Sequence, residues 1–497
     1  MDHPQTPTLQ TLAEIAGARV VHAPDTSLPV GFIGLDSSKM EPGGLFAALP
    51  GTRVHGASYA AGTPAGAILT DEAGLDILTE AGEDRPLLVV DDVRSVLGDV
   101  SAAVYGEPSK NMVLLGVTGT SGKTTTTYLL EKGLTAAGCK VGLIGTTGTR
   151  IMGREVETAL TTPEAPTLQR LMRDMADAGV THVVMEVSSH ALVLGRVRGL
   201  DFDVAGFTNL SQDHLDFHPT MEDYFAAKAL LFDPQSPLAA RRSVVCVDDE
   251  WGQRMAGIAA DATTVSSLGG AADVTAELVR VDASGNQRIR LGSHEFTLPM
   301  PGAFNVANAA LAAAMAQVAG VDLSEFLGGL ERASVPGRME RVDEGQDFVA
   351  VVDYAHKPAA VAAALKTLRG QVSGRIGVAV GAGGDRDASK RPLMGAEAAK
   401  GAEYVVVTDD NPRSEDPAAI RAAVLEGARG AGTGAQIVEL GSRADAIDAL
   451  VAWAEPGDAI IVVGKGHEVG QIVGNETLHF DDREEMRRAL RERGRQA

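Results

Sequence analysis

One decapeptide, Gly116-Val117-Thr118-Gly119-Thr120-Ser121-Gly122-Lys123-Thr124-Thr125, limits what this chain can fold into more than any other stretch. The apolar run Met112 to Leu115 ahead of it reads as a buried strand. From Gly122 onward the pattern reads as a helix, with Tyr128, Leu129 and Leu130 on its first turns. A strand that passes through a glycine-rich turn into a helix aims several backbone N–H groups and the positive end of the helix dipole at one point. A polyphosphate fits there. Lys123 adds a point charge, and the Thr124 hydroxyl is placed to ligate Mg²⁺. The ordinary phosphate-loop spacing asks for glycine at position 117, which is valine, so the tighter form Gly119-x-x-Gly122-Lys123-Thr124 is the one that fits. A glycine-rich turn that binds nothing is the alternative, and a lysine followed by threonines at a helix start weighs against it. The stretch predicts a nucleotide site on an α/β sheet.

At 497 residues the chain is too long for one core, and the length suggests about three domains. The boundaries read as 1–108, 109–335 and 336–497. The first is a small α/β module of short apolar runs and turns. The second is a P-loop-type parallel-sheet domain. In it the near-continuous apolar strand His182 to Val187 delivers Glu186, Ser188, Ser189 and His190, and the strand Val204 to Thr208 delivers Asn209 and then Asp213-His214. Ligands in open parallel sheets bind beyond the carboxyl ends of strands, where these residues fall. After Val335-Pro336-Gly337-Arg338 the strand–helix alternation restarts as a smaller, Rossmann-like sheet. Its strand ends carry Asp353-Tyr354-Ala355-His356, Asp385-Arg386, Asp410-Asn411-Pro412-Arg413 and Gly464-Lys465-Gly466-His467-Glu468.

The balance of 44 Lys+Arg against 66 Asp+Glu, a net charge of −22, repels phosphate backbones and anionic lipid, so nucleic acid and membrane are poor bulk partners. Two cysteines far apart in apolar surroundings suggest a reducing compartment. The N-terminus has no basic region followed by an apolar core, and the alanine-rich run Val306 to Val321 carries Asn308 and Gln317, so it reads as a core helix. A cytoplasmic monomer is expected.

Glu186 and His214, taken to lie at neighbouring strand ends, together with the Thr124 hydroxyl, suit Mg²⁺, which takes a few hard ligands and keeps water and substrate phosphate for the rest. The arginines Arg338, Arg386, Arg391 and Arg413 at turns and strand ends suit carboxylates or phosphates. The Asn-Pro-Arg and Gly-Lys-Gly-His-Glu turns suggest a pocket for a zwitterion, in which Glu468 holds an ammonium. ATP in the centre, an anionic partner from the N-terminal side and an amino-acid-like partner from the C-terminal side point to joining a carboxylate to an amine.

The ordered series Gly119-Thr120-Ser121-Gly122-Lys123-Thr124-Thr125, Glu186-Val187-Ser188-Ser189-His190, Thr208-Asn209-Leu210, Asp213-His214-Leu215-Asp216, Gly302-x-Phe304-Asn305, Val335-Pro336-Gly337-Arg338, Asp353-Tyr354-Ala355-His356 and Gly464-Lys465-Gly466-His467-Glu468 resembles the Mur ligase family from about residue 30 to 480. The resemblance implies three domains: a UDP-binding N-terminal domain, an ATPase centre and a Rossmann-like C-terminal domain. It implies ATP and Mg²⁺ as cofactors, and UDP-N-acetylmuramoyl-L-alanyl-D-glutamate and meso-diaminopimelate as partners. By position, Leu35, Ser37, Thr52, Arg53 and Val54 would hold the uridine part, and Thr161, Thr162, Ser188 and Arg196 the muramoyl-dipeptide part. Leu160 stands where asparagine can occur in the family and Leu194 where glutamine can. Asn305, Arg338 and Asp353 would contact ATP. Lys228 matches a lysine that the family carbamylates, which would make it an anionic Mg²⁺ ligand beside Thr124, Glu186 and His214, with Lys123 the other catalytic position. Arg386, Asp410, Asn411, Pro412, Arg413, Gly464 and Glu468 would select the amino acid, Arg413 pairing with the second carboxylate that L-lysine lacks. His356 would position substrate, accept a proton or shape its turn. Ligation with L-lysine, a folylpolyglutamate synthetase-like ligase and a nucleotide-binding scaffold without catalysis remain as alternatives.

Overall fold

The computed structural model describes residues 6–496 apart from 24, 52, 216, 283 and 284. Three sheets carry the architecture, each drawn from its own stretch of sequence. The first has five short strands between Arg19 and Val89, parallel except for the antiparallel edge strand Arg19–Val21.

The central sheet has eleven strands. Its parallel middle runs Val141–Gly145, His182–Glu186, Val113–Thr118, Val204–Phe207, Arg242–Cys246, Thr263–Ser266 and Val274–Val281. Antiparallel hairpins extend both edges: Gly148–Ile151 with Arg154–Val156 on one side, and Gln287–Leu291 with His294–Leu298 on the other. One correction follows from this order. The strand ending at Glu186 and the strand leading to His214 are not neighbours; each pairs with Val113–Thr118, which lies between them. Crossover connections put the phosphate-loop strand in the middle, so both polar strand ends flank the loop.

Each face of this sheet is covered by helices. Lys123–Ala136 and Ala303–Val318 bury one core with Leu115, Val117, Leu129 and Met315; Ala165–Asp177 and Met221–Ala229 help to bury the other, with Leu114, Met172 and Phe207. The run Ala309 to Ala316 explains how one helix lies across five strands. Alanine favours the helix and its small side chain lets the backbone come close to the sheet.

The third sheet has six strands in the order Glu340–Arg341, Val349–Asp353, Ala459–Val463, Ile376–Val380, Tyr404–Val407 and Gln436–Glu439, parallel except for the first. A separate hairpin, Gly470–Val473 with Glu476–His479, and a final helix Asp482–Gln496 follow. Among the described residues no helix is long and apolar enough to cross a membrane.

Candidate active site

The phosphate loop is built by its neighbours as much as by its own glycines. Thr208 Oγ1 and Asn209 Nδ2 donate to the Ser121 carbonyl at 2.7 and 3.1 Å. The Ser121 and Thr120 amides donate back to the Asn209 side chain and carbonyl at 3.0 and 2.9 Å. Gly122 closes the loop at φ +87°, where a Cβ would sit 2.3 Å from Asn308 Oδ1, so glycine is strongly favoured. Lys123 Nζ folds onto the Gly119 and Thr120 carbonyls at 2.9 and 3.1 Å. Burial, helped by the charge of Lys357, lowers its pKa to about 8, with Glu186 and Asp213 opposing. A polyanion in the loop would restore the full charge.

Beside the loop, Glu186 is buried. Its Oε1 accepts from Thr124 Oγ1 at 2.9 Å and the Thr146 amide at 2.8 Å, and its Oε2 accepts from Thr146 Oγ1 at 3.1 Å. A hydroxyl and a carboxylate meeting here are the hard oxygen donors Mg²⁺ prefers. His214 sits apart from this pair. It adopts φ +53°, its Nε2 lies 3.1 Å from Asp213 Oδ2, and its ring packs edge-on against His190. Burial lowers its pKa to about 4, which leaves a neutral imidazole suited to a metal. Among the described residues no three His, Cys, Asp or Glu side chains are grouped to hold a metal ion, so a cation here needs hydroxyl, phosphate or modified-lysine oxygens as well.

Lys228 fits that need. Its side chain is fully enclosed; Nζ donates to the Gly119 carbonyl at 2.9 Å and lies 4.5 Å from the Tyr224 ring centre. Burial, reinforced by Lys123 and Lys357, holds its pKa well below the usual lysine value. An ammonium is unfavourable in that position. A carbamate would keep one N–H for Gly119 and turn the cation into an anion facing cations.

The substrate-side residues cluster round the same strand end. Thr162 Oγ1 donates to the Glu186 carbonyl at 2.9 Å and accepts from the Ser188 amide at 3.2 Å, and Thr161 Oγ1 lies 3.1 Å from Thr146 Oγ1. Arg196 is paired with Glu164 at 2.8 Å and reaches the Thr162 carbonyl at 3.4 Å. In the first sheet's region, Leu35 packs against the core, Ser37 opens a short turn capped by Asp36, and Arg53 and Val54 are exposed; Thr52 lies outside the described residues.

Of the ATP positions, Arg338 meets the loop directly, its Nη2 donating to Thr124 Oγ1 at 3.2 Å while its guanidinium lies over Tyr354. Asp353 accepts from the Met339 and Ala355 amides at 2.7 and 2.8 Å and so fixes the segment that carries Arg338; burial raises its pKa against Arg338. Asn305 lies beneath the loop. It is buried, donates to the Pro301 carbonyl at 2.7 Å and accepts from Asn308, so it supports the loop helix from below.

The amino-acid positions converge on the rim of the third sheet. Asn411 Nδ2 donates to Glu468 Oε2 at 2.9 Å, and Arg413, at φ +52°, donates from Nη1 to the Gly384 carbonyl at 2.7 Å. Asp410 and Pro412 are buried, Arg386 is exposed beside Asp385, and a Cβ at Gly464 would meet Asp410 Oδ2 at 2.5 Å. His356 Nδ1 donates to the Tyr354 carbonyl at 2.9 Å, and burial, with Lys357 and Lys390 nearby, lowers its pKa to about 3.

Sequence reasoning missed several participants. Lys357 pairs with Asp213 at 2.6 Å across the boundary between the second and third sheets. Thr146 holds Glu186, and the Tyr224 hydroxyl meets Thr120 Oγ1 at 3.2 Å. A lysine directly after Asp353-Tyr354-Ala355-His356 was visible, but its partner lies in another domain-sized stretch.

Comparison with known proteins gives the family. Residues 117–316 match the Mur ligase middle domain, 337–466 the Mur ligase glutamate ligase domain and 29–105 the Mur ligase family catalytic domain. A protein of Corynebacterium glutamicum named UDP-N-acetylmuramoyl-L-alanyl-D-glutamate--2,6-diaminopimelate ligase is 63% identical over 93% of this chain and 92% of its own length. A Streptomyces coelicolor protein of the same name is 47% identical over 97% and 96%. A solved structure with that name superposes with a TM-score of 0.68 at 32% identity, covering 98% of this chain and 99% of the other. Mycobacterium tuberculosis folylpolyglutamate synthase shares the fold, with a TM-score of 0.59 at 20% identity over 73% of this chain and 91% of its own. By its domains and its relatives, the chain belongs to the Mur ligase family.

Proposed function

We propose that this protein is an ATP-dependent amide ligase that adds meso-2,6-diaminopimelate to UDP-N-acetylmuramoyl-L-alanyl-D-glutamate, giving ADP and phosphate, in peptidoglycan precursor synthesis. The observation that carries this reading is the bond from Arg338, at the start of the third sheet's region, to Thr124 in the phosphate loop. In this reading it joins the lobe that would hold the amine to the loop that would hold the nucleotide. Full-length relatives with the corresponding name support the choice of substrates. We take 1–108, 109–335 and 336–497 as the three domains, a division supported by each sheet falling within one range.

In this reading the side-chain carboxylate of D-glutamate attacks the γ-phosphorus of ATP. The P–O bond to ADP breaks and an acyl phosphate forms. Lys123, Arg338 and the loop amides hold the phosphoryl oxygens as negative charge moves toward ADP. Thr124, Glu186, His214 and carbamylated Lys228 would hold Mg²⁺, which supplies further charge neutralisation there. The amine of diaminopimelate then attacks the acyl carbon, and phosphate leaves with the C–O bond. His356, neutral with its proton on Nδ1, suits accepting a hydrogen bond from the attacking amine at Nε2 rather than a charged role. Arg413 is anchored through one N–H on Gly384, which leaves others for the distal carboxylate.

The test is phosphate release from ATP and the muramoyl-dipeptide precursor, with meso-diaminopimelate and L-lysine assayed side by side. Release should require all three substrates and favour diaminopimelate. Release without the amine, or equal rates with both amines, would reject this assignment. A folate with glutamate in place of these substrates tests the folylpolyglutamate alternative, and no turnover is expected.

A further inference from the structure

Lys357 enters the cleft from the third sheet's lobe and has no part in the chemistry above. Local structure puts it there. The strand Val349–Asp353 ends in the turn Tyr354-Ala355-His356, which His356 Nδ1 braces by donating to the Tyr354 carbonyl at 2.9 Å. The helix Pro358–Arg369 begins directly after Lys357. Proline clashes with a helical residue before it, so Lys357 stays extended at φ −132° and ψ 149° and caps the helix instead of joining it. Its side chain makes no capping bond. A cation is poorly placed here, because caps favour hydrogen-bond acceptors and the helix dipole is positive at this end.

The side chain is nonetheless nearly enclosed. It is 12% exposed, and among the described residues the acceptor it meets is Asp213 Oδ2, at 2.6 Å. An ammonium carries three N–H bonds, which one carboxylate oxygen does not use up. Lys465, which is also buried, shows the contrast: its Nζ donates to Asn411 Oδ1, Glu468 Oε2 and the Gly470 carbonyl. Asp213 Oδ2 is moreover shared with His214 Nε2. Most other charges near Lys357 are of its own sign, and it opposes those of Lys123, Lys228 and Lys390. Lys123 and Lys228 both donate to the Gly119 carbonyl of the phosphate loop, and Arg338, from the same lobe as Lys357, reaches Thr124. The carboxylates that offset this charge at Lys123 are Glu186 and Asp213. Crowded cations with N–H bonds to spare suit an anion that brings several oxygens at once.

We propose that Lys357 is a phosphate-binding residue, which gives its remaining N–H bonds to the terminal phosphate of a triphosphate seated in the loop. The lobe that would hold the amine then also reads whether the nucleotide has its third phosphate. This rests on the function proposed above. ADP, one phosphate shorter, leaves Lys357 with Asp213 alone, so the contact separates the two nucleotides.

The experiment measures the Kd for ADP and for a β,γ-methylene analogue of ATP, by calorimetry on the full-length chain with Mg²⁺ present. Lys357→Met should raise the Kd for the analogue about tenfold and that for ADP less than about threefold, and Lys357→Arg should keep both near wild type. The rival role is neutralising Asp213, and Asp213→Asn, alone and combined with Lys357→Met, separates the two. A phosphate-binding Lys357 means that Asp213→Asn alone keeps the preference for the analogue and the double variant lacks it. A preference that the double variant recovers, or ADP and analogue weakened by the same factor in Lys357→Met, overturns the proposal. Lys357→Gln carries the same comparison if the Met variant fails to fold. A wild-type chain that binds neither nucleotide overturns the proposed function instead.

Discussion

Lys123 shows how a single side chain is tuned by its surroundings. With Nζ on its own loop carbonyls and its pKa lowered to about 8 by burial, it would gain most from a triphosphate bound as proposed. Lys123→Ala should lower kcat/KM for ATP by about 10³-fold or more, measured by coupled phosphate release, while leaving the unfolding midpoint little changed. In the proposed reading Arg413 acts on choice instead of rate. Arg413→Ala should cut kcat/KM for diaminopimelate about 100-fold and leave that for L-lysine within a few-fold, since a buried carboxylate loses its forked partner. His467, together with His214 and His356, supplies the pH dependence. Burial, with the charges of Arg338 and Arg483, lowers its pKa from 6.5 to about 3, so it is neutral in the fold. A depressed value means the unfolded chain takes up the proton first. Its stability contribution is therefore complete above pH 6.5 and drains away as pH falls toward 3. Thermal unfolding followed from pH 7 to 4 should show a falling midpoint, and His467→Gln should flatten that slope.

Among the elements, the loop helix Lys123–Ala136 is held at its start by residues from elsewhere: Thr208 and Asn209 beside it, Asn305 and Asn308 beneath it. The strand–turn–helix could be read from its pattern because strand, glycines and lysine are consecutive. The role of Asn305 could not, because whether an asparagine faces a ligand or props a loop depends on what packs over it. The same holds for the hairpin Gly470–Val473 with Glu476–His479. Its Ile472 backbone bonds Arg413 and Asn411 and clasps the amino-acid turn, yet its own sequence carries no chemical signal. The segment joining the second and third sheets is equally exacting. Gly337 has φ +63°, and a Cβ there would lie 2.1 Å from the His467 amide nitrogen and 2.2 Å from the Gly466 carbonyl carbon. Backbone cannot yield as a side-chain tip can. Gly337→Ala should destabilise the fold by more than about 1 kcal/mol and weaken ATP binding by displacing Arg338, checked by denaturant unfolding and calorimetry.

At the scale of the molecule, ligation needs two lobes to share one cleft, and side-chain contacts cross between them. Arg338 reaches Thr124, and Lys357 reaches Asp213 at 2.6 Å. Burial pushes the Asp213 carboxyl up, but Lys357 and His214 outweigh it and hold its pKa below the ordinary range. Asp213 Oδ2 also faces His214 Nε2, so the lysine of one lobe steadies a histidine of the other. Lys357→Met should raise the Kd for ATP about tenfold, read by calorimetry, because Asp213 is left partly buried without its partner.

The sequence alone determined the α/β class, the three-domain organisation, the strand–glycine turn–helix unit and the ordered strand-end residues. These rest on local spacing, such as the run Gly119 to Thr125, or on alternation of apolar and polar stretches, and both are properties of neighbouring residues. Tertiary structure alone decided that the strands bearing Glu186 and His214 flank the loop strand instead of each other, since crossover order is set by packing over the whole sheet. It also decided the partnership of Lys357 with Asp213 and the burial of Lys465 among Asn411, Glu468 and Gly470. A charge found inside a protein takes its meaning from what surrounds it, and those surroundings come from segments far apart in the chain.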